Sequence, residues 1–207
     1  MGADSEQTRK TILRAARDII AERGYQAATF QQIARRAGVS RPTLHYYYPT
    51  REDLYDKLLT DVRDRVQQCA DAALDKGALI CQLAAFAREL HRLGADEPAL
   101  MKLVMTARID HHRAPQRHEA AAAVVATVHS FYDAVVTDAV FRGELGPDSD
   151  VRAVSDMLGA LFWGFGFYAG FLTDGTDGVE TPEVARQLMR MLGSGLLNEP
   201  VGASVDA

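Results

Sequence analysis

Apolar residues recur at helical spacing from near the start of the chain. Ile12, Ala15, Ala16, Ile19 and Ile20 share one face, with Arg14, Arg17 and Asp18 opposite, which predicts a first helix over residues 5–23. Gly24 stands where a left-handed cap belongs. A second helix starts at Thr29, where Thr29 and Gln32 have the spacing of a capping box, and buries Phe30, Ile33, Ala34 and Ala37. Gly38 ends it. Ser40 then caps a short third helix, with Pro42 in its first turn and Leu44 as its anchor, and Pro49 stops it. Thr50 and Asp53 repeat the capping pattern before a long amphipathic helix over residues 51–74, with Leu54, Leu58, Leu59, Val62 and Val66 as its stripe.

Only helices follow. They are expected over residues 79–93 (Ile80, Leu83, Phe86 and Leu90 inward), 99–113, 118–141, 151–173 and 182–197, with a break at Pro115 and loops over 142–149 and 173–182. No stretch alternates as a strand would, and no repeat is visible. The expectation is an all-α protein. A three-helix head covers residues 6–50, with its helix-turn-helix at 29–48; a connecting helix covers 51–74, a helical-bundle body 75–198 and a loose tail 199–207.

The totals add one asymmetry. The chain has 207 residues, 25% of them charged, and a net charge of −5. Residues 1–51 hold nine Lys/Arg against four Asp/Glu, a balance of +5, so the remainder stands at −10. A basic head on an acidic body suits a protein that brings only its head to a phosphate backbone. The N-terminus, MGADSEQTRK, is too polar for a secretory signal. The most apolar segment, residues 157–172, contains four glycines and is short for a membrane span. A cytoplasmic protein with free thiols at Cys69 and Cys81 is expected.

The third helix carries the chemistry. The second helix of a helix-turn-helix enters the major groove, and its outer residues read base edges. Arg41 can offer a fork to guanine O6 and N7, Thr43 can bond a base edge, and Pro42 can pack on a thymine methyl. His45 and Tyr47 follow Thr43 at steps of two and can reach bases or phosphates. Tyr46 is open between core and DNA, and Tyr48 is expected in the core. Thr29, Gln31 and Gln32 present the amide end of the second helix to a phosphate. Arg35 and Arg36 read as a solvated face.

The run ARDIIAERGYQAATFQQIARRAGVSRPTLHYYYPTREDL, residues 16–54, resembles the DNA-binding head of the TetR-type (tetracycline-repressor-like) transcriptional regulators. The resemblance covers about the first quarter of the chain; the rest matches only in length and helical character. It implies a double-stranded DNA operator, a homodimer and a small-molecule effector held in the body. It also implies a backbone contact at Tyr47 and a phosphate-contacting base at Arg51 or Lys57.

The body is less legible. One short helix reads too little sequence for a genome, so such heads work in pairs. Gly159, Trp163, Gly166 and Gly170 fall on one stripe whose small residues would allow close approach of a second copy, as in the family's seam from its last two helices. Leu158, Leu161, Phe165, Tyr168 and Leu172 would then face the body's own core. A pocket for an apolar or aromatic effector is expected among Met101, Met105, Phe131, Phe162, Trp163 and Phe165, with Arg108, His111, His112, His129 and Tyr132 as candidate polar groups. Ordinary core and surface roles for these residues stay open.

Other chemistries lack a motif. His111, His112, His118, Asp110 and Glu119 cluster in sequence, but adjacent histidines point apart on a helix and Pro115 interrupts the spacing. No nucleophile elbow, P-loop or dinucleotide fingerprint occurs, so neither cofactor nor catalysis is expected. Two rivals to an effector-controlled repressor remain: an architectural DNA binder without an effector, and a ligand-binding protein whose head has lost DNA binding.

Overall fold

A computed structural model describes residues 2–113, 119–168, 171, 187 and 190. Eight helices run through them: α1 (Gly2–Arg23), α2 (Phe30–Ala37), α3 (Arg41–Tyr47), α4 (Arg51–Leu74), α5 (Leu79–Asp96), α6 (Pro98–Arg113), α7 (Glu119–Phe141) and α8 (Val151–Phe167). No strand occurs among the described residues. The expected last helix apart from residues 187 and 190, the loop before it, the tail, Gly170, Leu172, Pro115 and His118 lie outside the described residues.

The head is built by local signals. Ile12, Ala15, Ala16, Ile19 and Ile20 are buried, as the first stripe requires. Gly24 (φ +79°) takes the left-handed turn after α1, and Tyr25 folds back into the core. The Thr29 hydroxyl accepts the Gln32 amide proton, and the Thr29 amide donates to Gln32 Oε1 at 3.0 Å. Gly38 (φ +67°) ends α2, and the Val39 amide reaches back to the Ala34 carbonyl at 3.0 Å, which closes the turn. A notional Cβ on Gly38 meets nothing within 4 Å, so positive φ rather than space demands glycine there. Ser40 Oγ caps α3 through the Thr43 amide at 3.1 Å. Thr50 and Asp53 form the second capping box, opening α4.

α4 connects head to body and packs against α5, α6 and α7. α5 runs three residues beyond its expected end, through Gly94 to Asp96. α7 is the central body helix: Val124, Val128, Phe131, Val135 and Val136 are buried between α4, α6 and α8. Among the described residues, α7 is long and apolar enough to cross a membrane by length and composition. That character here serves burial in a protein core.

Two polar links join head and body, beside the packing of α1 on α6. Glu97, after α5, pairs with Arg17 of α1 and with Arg65 of α4 (2.5 Å for the second). Tyr55 of α4 is fully buried, and its hydroxyl donates to Asp110 Oδ2 of α6 at 2.6 Å. Burial and the adjacent Asp110 carboxylate both push the Tyr55 pKa up, so this hydroxyl stays a donor. Its ring stacks on Tyr25 at 4.3 Å, so the same residue touches the head.

Candidate nucleic-acid interface

Leu44 and Tyr48 point α3 inward, and the positions between them point out. Arg41, Pro42, His45 and Tyr46 are exposed; Thr43 and Tyr47 are half-buried. Tyr46, at 82% exposure, is the most open of the aromatic residues on α3, which answers the ambiguity left by the sequence. Arg41 forms no hydrogen bond or ion pair among the described residues, so its guanidinium is available as a fork.

The other α3 side chains are partly fixed. His45 lies edge-on to Phe30 at 4.8 Å, and its Nδ1 stands 3.3 Å from the Pro49 carbonyl. A carbonyl only accepts, so Nδ1 carries the proton and Nε2 is the ring's outward polar atom. Thr43 Oγ1 is 2.7 Å from Ser40 Oγ. Tyr47 meets Tyr46 edge-on at 5.3 Å and has the Arg9 guanidinium 5.7 Å from its ring centroid. Sequence reasoning missed Arg9, which brings an α1 cation beside the aromatic end of α3. At the start of α2, Thr29 and Gln31 are exposed and Gln32 is half-buried in its cap.

Three basic residues are already engaged. Arg51 donates to the Gln26 and Ala28 carbonyls at 3.3 Å and lies 4.6 Å above the Tyr25 ring, so it braces the turn between α1 and α2. It reaches a phosphate only by giving up those contacts. Arg36 donates from Nη2 to both Glu22 oxygens at 3.0 Å. Arg9 has its ring contact. The Glu52 carboxyl sits below the usual carboxylate range, held by its own backbone amide at the start of α4 and then by the Tyr25 hydroxyl at 3.1 Å.

In the body, the residues expected to line a pocket fill space against one another. Phe131 lies 4.1 Å from Phe86, Phe86 5.9 Å from Phe162, and Phe162 4.9 Å from Trp163. Phe86, at the centre of this cluster, was not singled out from the sequence as a pocket residue. Burial also pushes the Tyr132 hydroxyl pKa up. Met105 is buried, while Met101 and Phe165 are half-buried. A cleft of about 530 Å³ opens between α4 and α5, lined by Asp61, Asp64, Arg65, Cys69, Glu89 and Asp96 among others; another, about 340 Å³, is lined by Asp56, Thr60, Arg63, Glu119, Ala120 and Ala123. None of the expected pocket residues lines either cleft. His129 Nδ1 is 3.9 Å from Asp156, and no cluster of three metal-ligating side chains occurs among the described residues.

Within the stripe expected to meet a second copy, Gly159, Trp163 and Gly166 pack against their own chain. A Cβ on Gly159 would meet His129 Cε1 at 3.6 Å, and one on Gly166 would fall 2.5 Å from Met105 Cε. Trp163 packs on the core beside Phe162, and its Nε1 is buried. These small residues therefore admit α6 and α7 of the same chain. The outward face of α8 is the neighbouring stripe of Met157 (37% exposed), Ala160, Gly164 and Phe167 (42%), at steps of three and four; beyond the helix, Phe171 is also exposed (43%).

Comparison with known proteins agrees with this architecture. Residues 12–58 match the family described as bacterial regulatory proteins, tetR family. The HTH-type transcriptional regulator Rv2250c of Mycobacterium tuberculosis is 36% identical over 91 residues, 44% of this chain and 48% of that protein. The HTH-type transcriptional regulator RutR of Escherichia coli is 41% identical over 56 residues, 27% of this chain and 26% of RutR. The chain thus spans about half the length of the first relative and a quarter of the second. The fold extends further: FadR from Bacillus subtilis, solved with stearoyl-CoA, superposes with a TM-score of 0.74 at 20% identity, over 90% of this chain and 98% of FadR. Residues 12–58 thus match the tetR family of bacterial regulatory proteins, and the described residues share the all-helical fold of FadR.

Proposed function

We propose that the protein is a cytoplasmic, homodimeric transcriptional repressor that reads a palindromic operator and leaves it on binding a small, largely apolar effector in its body. The observation that carries this reading is the exposed face of α3, where Arg41, Pro42, His45 and Tyr46 project from a turn fixed by Gly38 and Ser40. The DNA-binding head is residues 6–50, the body residues 75–198. Arg41 reads guanine. Thr43, His45, Tyr46 and Tyr47 contact neighbouring bases or phosphates, and the α2 start at Thr29, Gln31 and Gln32 meets the backbone. Arg51 positions that turn from behind.

A second copy docks through the outward α8 stripe of Met157, Ala160, Gly164 and Phe167, with Phe171 beyond it, which leaves large apolar groups exposed on one chain. Two heads then address half-sites about 34–36 Å apart. An effector acts by favouring a body in which that separation no longer fits. FadR's complex with stearoyl-CoA supports an apolar ligand for this fold. Tyr55–Asp110 and the Glu97 pairs supply the mechanical link, because the first ties α6 to α4 and the latter tie the α5–α6 junction to α1 and α4.

Quantitative titration of operator variants tests the reading. Arg41→Ala is expected to lose about 1–3 kcal/mol of discrimination at one base pair of each half-site, while affinity for mismatched DNA changes little. Equal weakening on every sequence would make Arg41 a phosphate contact. A protein that shifts DNA but shows no thermal stabilisation with any apolar compound would be the effector-free architectural binder.

A further inference from the structure

Three polar groups of the body, on α6 and α8, have no hydrogen-bond or ion-pair partner among the described residues. The Arg108 guanidinium of α6 makes no ion pair or hydrogen bond among the described residues; its contact is the Trp163 ring, 5.9 Å away. Trp163 Nε1 on α8 is buried without a partner, and so is His111 Nδ1, one helical turn beyond Arg108. An indole N–H can only donate, a guanidinium only donates, and an imidazole nitrogen can donate. The nearest acid in sequence, Asp110, is committed to Tyr55. A buried indole N–H without an acceptor is uncommon in folded chains and points to a missing group.

We propose that Arg108, Trp163 and His111 form an anion-binding subsite, and that the effector is an apolar acid: a hydrocarbon body carrying one carboxylate. The inference rests on the reading that the body binds an effector and adds its chemical class. A carboxylate has acceptor positions enough for a guanidinium fork and two further N–H groups, and charge-assisted bonds are the strong ones. The hydrocarbon end lies toward Met105, whose flexible thioether fills the gap opposite Gly166 and can swing aside. Phe162 and Phe131 extend that apolar wall. Two residues past Arg108 stands Asp110, the α6 end of the Tyr55 bond, so an anion seated here acts within one turn of the link to α4.

Trp163 is the chain's only tryptophan, so its emission reads the subsite directly. The intact protein is titrated with decanoate and with decanamide, which has the same chain but no charge. Decanoate is expected to change the emission saturably and to bind at least about tenfold more tightly than decanamide, a ratio one charge-assisted contact supplies. Arg108→Gln is expected to bind the two alike, and Arg108→Lys to keep part of the preference. Equal affinities in the wild type, a preference that survives Arg108→Gln, or no response to decanoate overturns the inference. DNA retardation by unliganded wild-type protein is a separate arm. Its failure removes the regulator reading and leaves the emission result standing.

Discussion

The Tyr55–Asp110 hydrogen bond offers a measurable link between head and body. Tyr55→Phe deletes one oxygen and keeps the ring, so the stack on Tyr25 at 4.3 Å persists and no cavity larger than a hydroxyl forms. What is lost is a 2.6 Å bond to a carboxylate, leaving Asp110 half-buried without that donor. Hydrogen bonds to charged groups contribute about 1.5–3 kcal/mol. For a chain of 150–250 residues each kcal/mol moves the melting midpoint by about 2–4 °C, so the variant should melt roughly 3–12 °C lower. Asp110→Asn keeps an acceptor for the Tyr55 hydroxyl and loses only the charge, so its loss should be the smaller of the two. Thermal denaturation followed by circular dichroism at fixed protein concentration measures both, since a dimer's midpoint depends on concentration. A Tyr55→Phe midpoint within about a degree of wild type would refute the reasoning, and the tie between α4 and α6 would then rest on apolar packing alone.

Three further outcomes follow from the same geometry. Gly38→Ala places a Cβ at φ +67° and should destabilise the head by about 1 kcal/mol, seen as a lower midpoint and weaker DNA retardation. Phe167→Glu puts a charge in the outward α8 stripe and should convert the proposed dimer to a single-chain mass in analytical ultracentrifugation at micromolar concentration. The Glu52 and Glu144 carboxyls are held below their ordinary values, Glu52 by its own backbone amide and the Tyr25 hydroxyl, Glu144 by Arg142 and the Leu79 amide. Their contribution is therefore complete above the ordinary carboxylate range and is lost as pH falls through the lowered values. The double variant Glu52→Gln, Glu144→Gln should accordingly lose less stability than wild type between about pH 5 and pH 3.

The head was legible in the sequence because its signals are local. A hydroxyl and a Gln or Asp three residues on, at Thr29 and Thr50, and a glycine after the last apolar residue, at Gly38, need no knowledge of the rest of the chain. The α2 stripe of Phe30, Ile33, Ala34 and Ala37 was legible for the same reason. The face of α8 was not, because apolar residues surround that helix and periodicity cannot choose between two apolar sides. Gly159 and Gly166 looked suited to a partner, yet they admit His129 and Met105. Arg51 looked free for phosphate because its acceptors, the Gln26 and Ala28 carbonyls, lie more than twenty residues earlier. The links through Glu97 and Asp110 join positions up to eighty apart, and no local pattern announces them.

Selection of bound sequences from a random double-stranded DNA pool addresses the central claim most directly. The expected result is enrichment of a palindrome whose half-sites are centred about one helical turn or a whole multiple apart, each with a guanine whose preference Arg41→Ala abolishes. A pool that shows no enriched sequence, or enrichment unchanged by Arg41→Ala, would contradict the assignment of the α3 face as the reader.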